Sequence, residues 1–166
     1  MKKNLEIKCK LENYNLTKEK LNFLTFSKSV EKQIDTYYNV SKGRLKLRVI
    51  NDKKGFLIFY QRAEETVKRI SKYTITRIIN FKELNEILKT LFGINTIIKK
   101  KREIYIQKNI RVHLDTVKDL GSFLEIEVIY NDLNSAKKQL DKLILLLGLS
   151  ENDFIKNSYS DLLIKK

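Results

Sequence analysis

Four short stretches of the sequence alternate charged with apolar residues, and their charged positions could do chemistry together. They read NLEIKCKL (4–11), GRLKLRVI (43–50), IRVHLDTV (110–117) and FLEIEVIY (123–130). A period of two is typical of a β-strand with one apolar face and one polar face. Each stretch therefore predicts a strand whose second face is ionised along its length.

The signs of these charges segregate by strand. Arg44, Lys46 and Arg48 make one strand face wholly basic, whereas Glu125 and Glu127 make another acidic. Like charges two residues apart on a strand repel, so the two glutamates are costly unless a cation or a basic strand faces them. Paired carboxylates suit a hard cation such as Mg²⁺ or Mn²⁺, and rows of Lys and Arg suit phosphate oxygens.

A closed sheet accounts for all four stretches at once. Taken singly, each ionised face could simply meet solvent. A barrel with its charged face inward and its apolar face outward, under helices, explains the set. The predicted fold class is therefore α+β, an antiparallel β-barrel with a charged interior and helices packed outside.

The elements that would position these residues follow from composition and capping signals. Further strands are predicted at 30–40, 55–63, 67–79 and 95–107, which are rich in β-branched and aromatic residues. Predicted helices cover 17–26 with Thr17 as N-cap, 80–91 with Asn80 as cap and Gly93 as stop, and 135–147 ended by Gly148. Ser150 and Asp153 have the spacing of a capping box for a short final helix.

The basic run IIKKKREIYI (97–106) divides by strand parity. Lys100 and Arg102 fall on one face and could line the interior, while Lys99, Lys101 and Glu103 fall on the other. A lysine run is also a common solvated stretch, so parity alone leaves both interpretations open. We expect the single histidine, His113, to hydrogen-bond a neighbouring carboxylate rather than to bind a metal.

Bulk composition narrows the class of protein. The 166 residues carry a net charge of +14, which favours polyanionic partners such as phosphorylated small molecules or nucleic acid. No apolar run approaches the roughly 20 residues that span a bilayer. One cysteine excludes an internal disulfide framework, and five dispersed glycines provide no glycine-rich phosphate loop. We expect one domain over 1–166, no membrane partner, and a cytoplasmic location.

The same residues resemble a known superfamily. NLEIKCK, DTYYNVSKGRLKLR and RVHLDTVKDLGSFLEIEV are similar in order and spacing to the CYTH domain, or triphosphate tunnel metalloenzymes, especially the class IV adenylate cyclase-like subgroup. The resemblance spans nearly the whole chain. It implies an eight-stranded antiparallel tunnel that binds a triphosphate with Mg²⁺ or Mn²⁺, and cyclase-type members are often homodimers.

Site residues carried over from the resemblance fall into three groups. The implied metal ligands are Glu6, Asp115, Glu125 and Glu127. The implied catalytic residues are Glu125, Glu127 and Arg102. The implied triphosphate-binding residues are Lys10, Lys46, Arg48, Arg62, Lys100, Arg102 and Arg111, of which Arg62, Lys100 and Arg111 rest mainly on strand parity. Lys8, a cation on the same polar strand face as Lys10, is predicted to bind the triphosphate with them.

One position departs from the family pattern. The motif Glu-x-Glu-x-Lys is here Glu6-x-Lys8-x-Lys10, so a cation replaces an acid that would bind metal. The resemblance implies an adenylate cyclase-like or triphosphatase enzyme for ATP, thiamine triphosphate or tripolyphosphate. The alternative is a catalytically weak module that binds phosphate, polyphosphate or RNA.

Overall fold

The computed structural model describes residues 2–62 and 68–164, and at positions 2 and 62 it describes the backbone alone. The strands in these residues are β1 (Lys2–Lys10), β2 (Ser27–Tyr38), β3 (Arg44–Ile50), β4 (Lys54–Arg62), β5 (Arg69–Ile78), β6 (Ile94–Gln107), β7 (Ile110–Val117) and β8 (Gly121–Ile129). The helices are α1 (Tyr14–Asn22), α2 (Phe81–Phe92), α3 (Leu133–Leu147) and α4 (Tyr159–Ile164). None of the helices described is long and apolar enough to cross a membrane.

The eight strands close into a barrel in the order β1-β5-β4-β3-β2-β6-β7-β8. Every neighbouring pair is antiparallel, and β1 completes the closure between β5 and β8. The helices pack outside this sheet, which confirms the predicted α+β barrel.

The apolar face of the sheet points outward, under the helices. Leu5, Ile7 and Cys9 of β1 are buried in one cluster with Ala136 and Leu140 of α3. Burying a side chain the size of leucine contributes about 1.5–3 kcal/mol. Shifting a strand by one residue would exchange these side chains for charged ones, so the apolar face fixes the register that turns the charges inward.

Two helix ends lie where the sequence predicts them. Helix α2 begins after Asn80 and ends before Gly93, whose φ is 68°. Helix α3 ends at Gly148 in the left-handed conformation, with φ 67°. A residue with a Cβ would be strained at both glycines.

The predicted start of the first helix is wrong. Helix α1 begins at Tyr14, and the Asn13 side chain accepts a hydrogen bond of 3.0 Å from the backbone N–H of Leu16. Asn is a stronger N-cap residue than Thr, so the helix is capped at Asn13, one turn before Thr17. The hydroxyl of Thr17 instead donates to the Asn13 carbonyl at 3.2 Å, inside the helix.

The capping pattern after α3 produces a single 3₁₀ turn, Glu151–Asp153. The Ser150 hydroxyl accepts a hydrogen bond from the backbone N–H of Asn152 at 3.3 Å. Ser150 is therefore the N-cap as predicted, but it caps a 3₁₀ turn and not an α-helix. Helix α4 follows later, at Tyr159–Ile164, and lies against β6. This C-terminal segment brings Tyr159 into the barrel.

Candidate active site

The charged strand faces enclose an open cavity of about 300 Å³ inside the barrel. This volume is at the lower end of the range for small-molecule sites. Its charged lining residues are Glu6, Lys8, Glu31, Lys46, Arg48, Lys100, Arg102, Arg111, Glu125 and Glu127, joined by His113. The predicted inward charged face is therefore present in the structure.

A first basic group is anchored by Asp35 of β2. Its carboxylate accepts from Lys46 Nζ at 2.8 Å and from Arg48 Nε and Nη2 at 2.6 and 2.7 Å. Burial alone would raise the pKa of Asp35, but Arg48 and Lys46 hold it well below its ordinary value. Asp35 thus stays ionised and fixes both cations on the cavity wall.

A second basic group is anchored by Asp115 of β7. Arg102 donates to both of its oxygens, at 2.7 and 2.6 Å, and Lys100 Nζ lies 3.5 Å from Oδ2. Tyr159 donates to Oδ2 at 2.8 Å. The pKa of Lys100 is lowered to about 7, first by burial and then by the charge of Arg102. We call Lys46, Arg48, Lys100 and Arg102 the basic wall.

The glutamates gather on the adjoining strands. Glu6 pairs with Glu127 across β1 and β8, and Glu125 follows two residues before Glu127 on the same face. Burial first, and then the charges of Glu125 and Glu127, raise the pKa of Glu6 to about 7, despite Arg69 with its Nε at 3.4 Å. We call Glu6, Glu125, Glu127 and His113 the acidic wall.

Glu125 joins the two walls. It accepts from Arg102 at 2.8 Å, and Lys8 Nζ lies 3.5 Å from its other oxygen. Lys8 also sits over the Tyr159 ring, 3.9 Å from the centroid. The structure therefore gives Lys8 an acidic partner and an aromatic face at the position where the family motif has an acid.

His113 lies between two of the glutamates. Its Nδ1 is 3.5 Å from Glu125 Oε2 and 3.9 Å from Glu127 Oε1. Potential ligand atoms of these three residues all lie within 4.8 Å of one another. Among the described residues Nδ1 has no partner at full hydrogen-bond geometry, but its contact with Glu125 helps to hold the pKa of that carboxyl below its ordinary value, so the expected partnership with a carboxylate is present in a longer form.

One end of the cavity carries most of its isoleucines beside two charged residues, since Arg111 pairs with Ile106 across β6 and β7 and Glu31 pairs with Arg102 across β2 and β6. Strands β3 and β6 both run antiparallel to β2, so residues beyond Arg48 and beyond Arg102 approach the same end of the barrel. By the same alternation of strand directions, residues early in β4 and late in β5 lie at that end. Its apolar lining, which we call the mouth, is Ile50, Phe56, Ile75, Ile104 and Ile106.

The other end is covered by the C-terminal segment. Tyr159 packs against Phe123 with ring centroids 5.0 Å apart. Arg44 of β3 donates to Asp161 at 2.9 and 3.1 Å, and to the hydroxyl of Ser158 at 2.6 Å. These contacts hold α4 on the barrel opposite the mouth.

Most of the site residues predicted from the sequence line the cavity, and a few do not. Those that line the cavity are Glu6, Lys8, Lys46, Arg48, Lys100, Arg102, Arg111, Glu125 and Glu127. Lys10 is exposed and lies outside that lining. Asp115 is fully buried with both oxygens bonded to Arg102, so a metal there would have to displace the guanidinium. The side chain of Arg62 lies outside the described residues.

Sequence reasoning missed three buried polar residues of the site. Asp35 had a readable signal, since Gln33, Asp35 and Tyr37 alternate with Ile34 along β2 in the same way as the quoted strands. Arg69, at the start of β5, donates to the carbonyls of Ile155 and Lys156. Tyr159 had no local signal, because its role depends on where the C-terminal segment returns to the barrel.

A closed antiparallel tunnel lined with segregated charges defines the class of protein. The CYTH domain model matches residues 2–159, and the chain belongs to this family. The chain is 28% identical over 170 residues to a protein of Methanocaldococcus jannaschii named "Putative adenylate cyclase", with 95% of this chain and 97% of that protein covered.

Solved structures share the whole architecture. A protein of Pyrococcus horikoshii OT3 superposes with a TM-score of 0.88 at 27% identity, over 98% of this chain and 99% of that one. A Hippeastrum protein described as a "putative adenylyl cyclase" with dominant triphosphatase activity has a TM-score of 0.72 at 12% identity, over 99% and 94% of the two chains. This last likeness supports the fold alone.

Proposed function

We propose that this protein is a divalent-metal-dependent enzyme that cleaves a phosphoanhydride bond of a triphosphate bound in its tunnel. The observation that supports this most directly is the placement of two opposite charge groups in one small cavity. The basic wall offers cations for phosphate oxygens, and the acidic wall offers carboxylates for a metal. Membership of the CYTH family and the name of the Methanocaldococcus relative agree with this chemistry.

The basic wall is organised to receive a polyanion. Bonding to Asp35 uses two of the five N–H donors of Arg48 and one of the three of Lys46, so donors remain for phosphate. Because the aspartates already fix these side chains, little side-chain entropy is lost when the ligand binds. Arg102 would stabilise charge developing on the phosphoryl oxygens.

The acidic wall fits a hard cation. Glu6, Glu125 and Glu127 share the inner face of β1 and β8, and the raised pKa of Glu6 reflects the burial and mutual repulsion that a cation would relieve. When bound, Mg²⁺ or Mn²⁺ would polarise a phosphoryl oxygen and neutralise its charge. Glu127, the less buried of the β8 pair, would orient an attacking water.

The mouth favours a triphosphate that carries an organic group. Phe56 and four isoleucines line the end of the cavity beyond Arg48 and Arg102, where the unphosphorylated part of a ligand would project. Bare tripolyphosphate would leave this apolar surface uncovered. We therefore place ATP or thiamine triphosphate ahead of tripolyphosphate as substrate.

A binding module without turnover is the second candidate. The contact between Lys8 and Glu125 favours it, since a cation 3.5 Å away reduces the charge that Glu125 can offer a metal. Such a module would hold the polyanion on the basic wall and release it unchanged. If the module instead binds RNA on its outer surface, affinity should fall steeply with salt and survive mutation of Lys46 and Arg48.

A substrate panel tests the proposal. ATP, thiamine triphosphate and tripolyphosphate are each incubated with Mg²⁺ or Mn²⁺, while phosphate, pyrophosphate and cyclic AMP are measured separately. We expect metal-dependent turnover by the wild type. Phosphate release identifies attack by water, whereas equal cyclic AMP and pyrophosphate identify attack by the ribose 3′-hydroxyl on the α-phosphorus.

Matched variants assign the activity to the tunnel. Glu127→Gln, and Lys46→Ala combined with Arg48→Ala, should each lower kcat/KM at least about a thousandfold, comparable to losing one or two transition-state contacts. Lys99→Ala with Lys101→Ala makes the same change in charge on the outer face of β6 and should leave kcat/KM within about twofold. Wild-type turnover in either tunnel variant would refute the proposal, as would binding of all three ligands without any product.

A further inference from the structure

We propose that His113 supplies a nitrogen ligand to the tunnel metal, and that this ligand makes the site prefer Mn²⁺ and other first-row transition ions to Mg²⁺. The inference rests on the proposed function, because it concerns the metal bound to the acidic wall. It adds to that site a residue that determines which metal binds, and it predicts that Mn²⁺ binds more tightly than Mg²⁺.

The fold places the imidazole inside the acidic wall. His113 lies on the inner face of β7, directly opposite Glu125 of β8, and Arg111 on the same face lies opposite Glu127. The histidine is 5% exposed and lines the cavity. Its position is set by two ladders of backbone hydrogen bonds, to β6 and to β8, rather than by a loop.

The polar atom that faces the carboxylates has no hydrogen-bond partner among the described residues. His113 Nδ1 is buried, and its nearest oxygens are those of Glu125 at 3.5 Å and Glu127 at 3.9 Å. Buried polar side-chain atoms are hydrogen-bonded in the great majority of cases. A hydrogen bond to a carboxylate is usually 2.7–2.9 Å when the donor is charged, so these separations are too long for one.

A cation between the three groups would satisfy all of them. The ligand atoms of His113, Glu125 and Glu127 lie within 4.8 Å of one another, which leaves room for an ion among them. The ion would also separate two carboxylates that repel each other on one strand face.

The donor set then determines the preference among metals. Mg²⁺ favours oxygen ligands in a regular octahedron and keeps several waters, whereas imidazole nitrogen suits transition ions. Lys8 strengthens this preference, because it contacts Glu125 from β1 and weakens an oxygen donor of the same cluster.

Pulsed electron paramagnetic resonance of bound Mn²⁺ tests the ligand directly. The chain contains one histidine, so once any purification tag is removed, imidazole nitrogen coupling can come only from His113. We expect ¹⁴N modulation in the wild type that changes to the ¹⁵N pattern when histidine alone is labelled with ¹⁵N. This comparison requires no mutation and therefore does not depend on whether a variant folds.

Metal titrations of His113→Gln test the preference for Mn²⁺ over Mg²⁺. We expect its affinity for Mn²⁺ to fall at least about tenfold while its affinity for Mg²⁺ changes less than about twofold, with folding checked by thermal unfolding. His113→Asn serves as a second variant of smaller volume. Glu19→Gln, on the exposed face of α1, is the control and should change neither affinity.

The possible outcomes separate the two proposals. Mn²⁺ that binds and supports turnover without any histidine nitrogen coupling would overturn the role of His113 and leave the proposed function intact. Absence of any metal binding that depends on Glu125 or Glu127 would overturn both. Equal losses for Mn²⁺ and Mg²⁺ in His113→Gln would contradict the selectivity.

Discussion

The two walls of the tunnel differ in how completely their charges are balanced. On the basic wall, Asp35 and Asp115 each meet at least two cations within 4.0 Å, and the pKa of both carboxyls is held below its ordinary value. On the acidic wall, the pKa of Glu6 is instead raised to about 7. The basic wall is therefore balanced within the protein, whereas the acidic wall combines Glu125, whose pKa Lys8 and Arg102 hold well below its ordinary value against the effect of burial, with Glu6, whose charged form burial disfavours.

This difference separates two tasks that one cavity has to perform. Fixed cations can hold a polyanion only if their own counter-ions keep them in place when the ligand is absent. A metal site must instead keep its ligands close together without a cation, at some cost in stability. Substitutions can disrupt each wall separately, and the loss of stability should be largest for the anchor of the basic wall.

Removing the anchor of the basic wall should have the largest effect. In Asp35→Ala, Lys46 and Arg48 remain buried without their counter-ion, which should lower the free energy of unfolding by about 3–5 kcal/mol. Chemical denaturation provides the measurement. Asp141→Ala is the matched control, because Asp141 is exposed and pairs with Lys68 at 3.1 Å, and such surface pairs contribute below about 1 kcal/mol. Equal losses in the two variants would contradict the anchoring role.

The contribution of Glu6 to the free energy of unfolding should depend on pH. The pKa of Glu6 is raised from 4.5 to about 7, so the folded state holds this proton more tightly than the unfolded chain. Stability is then complete below pH 4.5 and is lost as the pH rises through 7, by about 3 kcal/mol. Glu6→Gln should remove this loss, and the difference in unfolding free energy between variant and wild type should grow over that range.

Two controls accompany the measurement on Glu6. Glu19→Gln should follow the wild type at every pH, because Glu19 is exposed on α1. Saturating Mn²⁺ should recover the stability of the wild type above pH 7 but not that of Glu6→Gln. A wild-type protein whose advantage over Glu6→Gln increases with pH would show that the sign is wrong.

Substitution at the mouth should have the smallest effect, a loss of binding affinity confined to ligands that carry an organic group. Phe56→Ala should weaken binding of ATP or thiamine triphosphate about tenfold, the equivalent of about 1.4 kcal/mol, because an apolar contact is lost. Binding of tripolyphosphate should be unchanged and serves as the internal control. Phe23→Ala, which removes a 90% exposed ring, should affect none of the ligands. Equal weakening for all three ligands by Phe56→Ala would contradict an organic-group site at the mouth.

The sequence predicts the barrel and most of the cavity lining because alternation reports which residues share a strand face. Glu6, Lys46, Lys100 and Glu125 could all be placed by parity, without knowledge of the strand order. Neither parity nor the family motif says how far along a strand the cavity extends, so the sequence could not show that Lys10 lies outside its lining. Nor does it reveal that Arg102 occupies both oxygens of Asp115, since that contact depends on the register between β6 and β7.

Other features of the site lie beyond sequence reasoning for a different reason. Tyr159 enters the barrel only because the chain returns after α3 and Arg44 secures Asp161. The environment of His113 likewise depends on the neighbouring glutamates of β8, with which it shares no local motif. Long-range contacts of this kind become readable only once the closed barrel brings its strands together.

Diffraction from crystals grown with Mn²⁺ and a non-hydrolysable ATP analogue tests the central claim most directly. Anomalous scattering locates the manganese independently of the ligand. We predict manganese on the acidic wall, in contact with Glu125 or Glu127, and triphosphate oxygens within hydrogen-bond distance of Lys46 and Arg48. Manganese bound elsewhere, or a triphosphate on the outer surface with the tunnel empty, would contradict the account.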